Sequence, residues 1–510
     1  MDRSPRPHVR WWPAALIVAV VAVRLAFVWL GEAPHTQARV VPSLKIAVLT
    51  FAALLLWALL FSRLPGRVRW TILLVVLVAA AGLRAAIRVT GVTGDAVPIV
   101  EWRWKAVDYE DPVASAATSG DGLDPRDYPQ FYGPRRDATL AGPRLARDWT
   151  ANPPVELWRR QVGEGWSSFA VAGTAAVTQE QRGGREMVVR YELATGRQVW
   201  AHADRTGLET TVGGRGPRAT PTIAGGRVYA LGATGILNAL DLATGRPAWS
   251  RNLVEEYGVT LADYGMPSSP LLVDDLVVVQ LARAERSLVA HRRSDGEPVW
   301  RAGAGAGSYS TPALVTLGGV RQIVVVNQGS VAGHAPETGE LLWREQWPVP
   351  GEKITPPLAL SHDRLLVSAG YGAGSRLLRL APADGGGGLR VEEIWRSPRL
   401  KSKFASMVLH GGTVYGLDDG VLTALDSETG ERRWKSGRYG HGQIVLVGDL
   451  LLIQTEKGGV ALVEANPDEH RELAHLAALD GKTWNPPALA GNYLLVRNNR
   501  AAACYRLAVE

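Results

Sequence analysis

The chain has 510 residues, 46% of them hydrophobic and 21% charged, too many for one ordinary core and too apolar for wholesale disorder. Its single cysteine, Cys504, excludes an intrachain disulfide and any cysteine-built metal cluster. The formal net charge of +7 is modest for the length, and much of it lies in arginines near apolar runs, so it does not indicate nucleic-acid binding.

Three apolar runs open the chain, at about 13–30, 44–61 and 70–87, each long enough to cross a bilayer core as a helix. Lys45 and Arg84 fall near run ends, where they can reach the interface, while Arg24 sits inside the first run. The start carries Arg3, Arg6 and Arg10 against Asp2. The first loop balances Glu32 with Arg39, and the second holds Arg63, Arg67 and Arg69 with no acid. Positive segments stay cytoplasmic, so the expected location is the inner membrane, with a cytoplasmic N-terminus and everything after the third helix in the periplasm or outside. Two further spans follow the first run and no small-residue cleavage site closes it, so the run reads as a retained anchor. No cysteine lies nearby to carry a lipid.

Residues 91–150 read as an extracytoplasmic linker. Within it, the segment DYPQFYGPRRDATLAG (127–142) shows no helical or strand period. Tyr128, Phe131 and Tyr132 would form a sticky patch if exposed, so the segment is expected to pack irregularly against a folded domain.

From about 151 to 510 one unit recurs. YELATGRQVW ends at Trp200, LDLATGRPAW at Trp249, HRRSDGEPVW at Trp300, HAPETGELLW at Trp343 and LDSETGERRW at Trp434. Degenerate copies end at Trp395 and Leu473, and Trp158 closes a last strand with no unit before it. A period of about 40–50 residues with strand patterning indicates propeller blades. Early turns at Gly173, Gly225, Asp274, Gly318, His362, Gly411, Gly448 and Gly491 count eight of them. The last interval supplies three strands and Trp158 the missing fourth, which closes the ring and removes both open edges. The tryptophan at each unit end reads as packing between blades, and the glycine of each turn as backbone geometry.

Chemistry is expected where the loops from each outer strand to the next inner strand converge. These carry the cationic or titratable Arg215, Arg218, Lys353, Lys401, Lys403, Arg438, His441 and Lys482, and the aromatic Trp166, Tyr264, Tyr309, Tyr439 and Trp484. Their acids are few: Glu164, Asp263 and Glu352. Such a mouth suits a flat anionic ligand or a protein partner, with rings to stack and cations to meet carboxylates. Trp166, Arg215, Arg218, Lys353, Lys401, Lys403, Arg438, His441, Lys482 and Trp484 are the candidate binding residues, and Asp263 and Glu164 the candidate bases. No nucleophile–base triad and no metal-ligand spacing is present in the sequence.

The repeated TG-x-x-x-W unit, with inner strands that begin Thr220-Pro221, Ser269-Pro270, Thr311-Pro312 and Thr355-Pro356, resembles the PQQ-like eight-bladed propeller superfamily over about 150–510. The segment YPQFYGPRRD resembles the leader of membrane-anchored bacterial members. The resemblance implies an all-β, eight-bladed propeller behind three transmembrane helices. That superfamily includes the non-enzymatic assembly factor BamB and the quinoprotein dehydrogenases. The second group implies a PQQ cofactor, calcium held by Glu, Asn and Asp, and a vicinal Cys-Cys disulfide. One cysteine makes the disulfide impossible here, and only Glu164, Asp263, Glu352 and Asn485 are available in the loops for the metal. The BamB-like lipoproteins lack a helical bundle. The expectation is a non-catalytic, membrane-anchored binding or scaffold module, serving cell-envelope protein assembly. The alternative is a PQQ-dependent alcohol or sugar dehydrogenase with calcium only if PQQ is bound.

Overall fold

The computed structural model describes residues 9–33, 35–104, 126–210, 213–383 and 388–510. The middle of the linker, 105–125, and the N-terminal Arg3 and Arg6 lie outside the described residues. Two compact units are present, Met1–Val107 and Asp108–Glu510.

The first unit contains three helices long and apolar enough to cross a membrane: α1 (Trp12–Leu30), α2 (Gln37–Leu56, continued by a π-turn Trp57–Phe61) and α3 (Gly66–Ala86). Most of their side chains are apolar and almost none is buried, the pattern of a helix whose solvent is lipid. Where the sequence reading places plain linker, the chain forms an antiparallel hairpin, β1 (Ile87–Val92) and β2 (Pro98–Trp102). β1 is broken by Gly91 and β2 is only five residues long, which hides their alternation.

The second unit is an eight-bladed propeller of antiparallel sheets. Blade 2 shows the grammar. Thr222–Ala224, Arg227–Leu231, Ile236–Asp241 and Pro247–Asn252 pair in sequence order, and exposure rises from the buried inner strands to the outer one. Ring closure is as expected from the chain ends: β4 (Val155–Gln161) pairs with the last strand, Ala501–Arg506, with Trp158 opposite Cys504. Cys504 is fully buried, and burial pushes its thiol up to about 12, so it behaves as a small hydrophobe.

The tryptophans join blades. Trp200 in blade 1 packs with Ile223, Val228 and Leu240 of blade 2 and donates Nε1–H to the Leu242 carbonyl at 3.0 Å. Trp158, Trp249, Trp300, Trp395 and Trp434 make the equivalent bond to Leu193, Arg293, Pro336, Ser427 and Asn466, each on the turn before the next blade's outer strand. The glycine of that turn is required twice over. Gly245 has φ +71, and a Cβ there would lie 2.6 Å from the Trp200 ring. Trp343 is the exception: its Nε1 donates to Gln322 of its own blade. The unit it faces, LAPADGGGGL, has lost the TG turn.

The segment after the linker closes the channel. Tyr128 exchanges two backbone hydrogen bonds with Val171 of blade 1, and Pro129 accepts from Ile223 of blade 2. Arg136 donates to the carbonyls of Ser269 and Pro270 in blade 3. β3 (Thr139–Leu140) then adds a fifth, parallel strand to blade 7 beside Leu446 and Val447. A two-residue strand has no period to read, which is why the segment shows none in sequence. Tyr128 and Tyr132 are buried, and Tyr132 donates its hydroxyl to Gln443 at 2.7 Å. The leader therefore bonds to the innermost strands of blades 1, 2 and 7 and to the loop leading into blade 3, and it brings Phe131 and Tyr132 to the cavity between the loops.

Candidate functional site

The loops between blades meet around a cavity of about 120 Å³. Phe131 and Tyr132 of the leader line it with Trp166, Tyr264, Tyr309, Phe404 and Trp484. Lys482 lies across two of the rings, its Nζ 4.4 Å from the centroid of Trp166 and 4.1 Å from that of Trp484. Burial pushes its ammonium down to about 8, while the indole faces favour the charged form. The Trp166 and Trp484 centroids are 5.2 Å apart, and Phe404 stands 4.7 Å from Trp484. Lys403 lies 4.6 Å over Tyr371 and 5.5 Å over Phe404, and the His441 ring is 5.7 Å from Phe404. Arg218 borders the cavity and spends its guanidinium on the carbonyls of Gly213, Gly214 and Gly216; burial lowers it to about 10.

The remaining candidates stand differently. Arg215 pairs with Glu209 at 2.8 Å and Glu164 at 3.4 Å, so the candidate base Glu164 is one end of an ion pair. Lys401 lies 2.6 Å from Asp418 and 3.6 Å from Asp419. Lys353 is buried, donates to the carbonyls of Val349 and Gly351, and is lowered by that burial. Arg438 and the candidate base Asp263 are exposed. The structure thus gathers Trp166, Arg218, Lys403, His441, Lys482 and Trp484 at the mouth and holds Lys353, Arg215 and Lys401 in local pairs.

Sequence reasoning misses Glu456, Asp418, Asp419 and Tyr371. Glu456 accepts from Trp484 Nε1 and from the His441 backbone N–H, both at 3.0 Å. All four lie in or at the edge of the turns between the second and third strands of their blades. Those turns return to the same face as the loops joining blades, so DDG at 418–420 and TEKGG at 455–459 were a readable signal. Their carboxylates offset the cationic character expected from the loops alone.

Glu186 lies near Arg218 and is 2% exposed. One of its oxygens accepts from the Thr234 hydroxyl at 2.9 Å; the other has no hydrogen-bond partner. Burial pushes this carboxyl up to about 7 from 4.5. A raised carboxyl keeps its proton in the folded state while the unfolded chain releases it, so its contribution to stability falls as pH rises from about 4.5 to about 7. Glu186→Gln is therefore expected to raise the unfolding free energy at pH 8, read from the urea midpoint, by about 3 kcal/mol at most. The difference should vanish below about pH 4.5. Equal midpoints at pH 8 would show that the carboxylate is stabilised in place.

The mouth does not fit a PQQ site. A cavity of about 120 Å³ is small beside the roughly 300–1,000 Å³ of ordinary ligand pockets, and side chains of the leader already occupy its floor. Among the described residues no group of three or more His, Cys, Asp or Glu could hold a metal ion.

The family model described as outer membrane protein assembly factor BamB matches twice, over residues 149–332 and 327–506. The chain is 23% identical over 345 residues to the BamB of Yersinia pestis, covering 63% of this chain and 72% of that one. Among solved structures, BamB from Moraxella catarrhalis superposes with a TM-score of 0.51 at 15% identity, over 69% of this chain and 99% of that one. The quinohemoprotein alcohol dehydrogenase of Comamonas testosteroni gives 0.54 at 12% identity, over 74% and 80%. The two structural likenesses speak for the fold alone. With both halves of the propeller matched by the same family model, the chain belongs to the BamB family of PQQ-like eight-bladed propellers.

Proposed function

We propose that this protein is a non-catalytic binding platform, anchored in the inner membrane with its N-terminus in the cytoplasm and its propeller outside, acting in cell-envelope protein assembly. The observation that supports it is the leader: Phe131 and Tyr132 fill the channel and leave about 120 Å³, room for one side chain of a partner and not for a tricyclic quinone. The mouth residues Trp166, Arg218, Lys403, His441, Lys482 and Trp484 then form the partner site, with rings for an apolar side chain and the Lys482 ammonium for a carboxylate. Aromatic and cationic groups around a small pocket are the composition of a protein-binding hot spot.

Two measurements test this. Calorimetry of the full-length protein with PQQ, with and without calcium, is expected to show no stoichiometric binding and no dye-linked alcohol or sugar oxidation. One-to-one binding with turnover would replace this reading by the dehydrogenase one. In cells, a photo-crosslinking residue at position 482 should trap a protein of defined mass, and at the exposed position 297 on a blade's outer turn should not. Identical patterns at both positions would remove the mouth from the function.

A further inference from the structure

We propose that the β1–β2 hairpin is an interfacial membrane-binding element, with its apolar face set among lipid headgroups and the first acyl carbons. The proposal rests on reading the three helices as membrane spans. The hairpin starts on the residue after α3 ends, and two hydrogen bonds clamp it there: Arg103 donates its N–H to the Ala86 carbonyl at 2.9 Å and its Nε–H to the Ile87 carbonyl at 3.0 Å. Its turn is tied as well, since Gln37 at the start of α2 donates to the Gly94 carbonyl at 3.0 Å. With three consecutive spans, the start of α2 and the end of α3 lie on one side of the bilayer. Both ends of the hairpin are therefore held at that level.

The side chains point the wrong way for water. Val89 opposes Val100 and Ile87 opposes Trp102; Val89, Val100 and Trp102 are each half exposed or more. Arg88 and Glu101, paired across the strands at 4.0 Å, are the less exposed set, with the Glu101 side chain at 15%. A two-stranded hairpin is marginal in water even with its apolar side covered. One that turns its polar pair inward and its valines outward is suited to an apolar surround, as the helices beside it are.

Tryptophan placement agrees independently. Trp11 and Trp12 at the start of α1, Trp57 at the end of α2 and Trp70 near the start of α3 share one side, with the Trp11 and Trp57 rings 5.4 Å apart. Trp29 at the end of α1 marks the other side, and Trp102 and Trp104, stacked at 5.0 Å and both exposed, fall there too. Two belts of tryptophan bracketing apolar spans are what membrane interfaces select, and the hairpin supplies most of the second belt.

The test uses the full-length protein in phospholipid vesicles, with a nitroxide at Val100→Cys or Trp102→Cys. Leu49→Cys, inside α2, serves as lipid reference, and Glu337→Cys, on the propeller surface, as water reference. The parent chain, with Cys504 buried, is the labelling blank. The ratio of collisions with oxygen to collisions with a water-soluble nickel chelate is expected to be several-fold higher at 100 and 102 than at 337, approaching that at 49. Ratios equal to that at 337 would put the hairpin in water, and shielding from both reagents would show the face covered by protein; either overturns the proposal. A water-like ratio at 49 would instead refute the spans themselves, and the proposal with them.

Discussion

Trp200→Ala is expected to lower the unfolding free energy of the full-length protein by about 3–5 kcal/mol, the usual cost of deleting a large buried ring where the surroundings relax only in part. Trp200 is 7% exposed, and its ring fills the seam between blades 1 and 2, where Val177 and Val188 face Ile223, Val228 and Leu240. The truncation also removes one of the two donors to the Leu242 carbonyl and leaves it to Arg190 alone. Gly245→Ala attacks the same joint from the other side, forcing a Cβ to 2.6 Å from the ring at a backbone angle that side chains rarely adopt. Urea titration read by tryptophan fluorescence and near-ultraviolet dichroism measures both. Crosslinking from position 482 should survive at urea concentrations where the variants remain folded. A Trp200→Ala protein of parental stability that has lost that crosslink would move Trp200 from the joint to the function.

The repeat made the ring legible because each blade is nearly self-contained and its register is announced by a turn and a tryptophan. The count of eight, the closing pair of β4 with the C-terminal strand, and the tryptophan seams all follow from that local grammar. What escaped notice depends on position across the ring, which spacing along the chain does not encode. Lys353 and Lys482 look alike as loop lysines; one is consumed by carbonyls of its own loop and the other lies over two indoles from separate blades. Glu456 and Asp418 sit in turns that seem peripheral until the hairpins bring them to the mouth. Of the leader, the aromatic content shows that it must be covered, and only the fold shows that its cover is the channel itself.

The seam that closes the ring carries a buried charge network, and Arg497→Met is expected to cost about 3–5 kcal/mol by breaking it. Arg497 in blade 8 is 1% exposed and reaches into blade 1, donating to the Thr178 hydroxyl, to the Gln179 carbonyl at 2.8 Å and to the Gly163 carbonyl at 3.1 Å. Beside it the Glu180 carboxylate, with no exposed surface, accepts from the Tyr191 hydroxyl at 2.5 Å, the Gly163 N–H and Arg182 Nε. Burial alone would raise that carboxyl; the Arg182 and Arg497 guanidiniums outweigh it and hold it below its ordinary value. A depressed carboxyl stabilises the fold above its unfolded pKa and loses that contribution as pH falls through the folded one. Without Arg497 the carboxylate keeps one cation of two, so the deficit should be largest at neutral pH and shrink toward the acid limb. Glu180→Gln in the Arg497→Met background should recover part of the loss, because the neutral amide no longer needs the missing charge. Urea midpoints of the four proteins at pH 4 and pH 7.5, with proteolysis between blades 8 and 1 as the local readout, measure the coupling. Additive losses at both pH values would mean that the closing strand pair holds the ring and that Arg497 serves only its backbone acceptors.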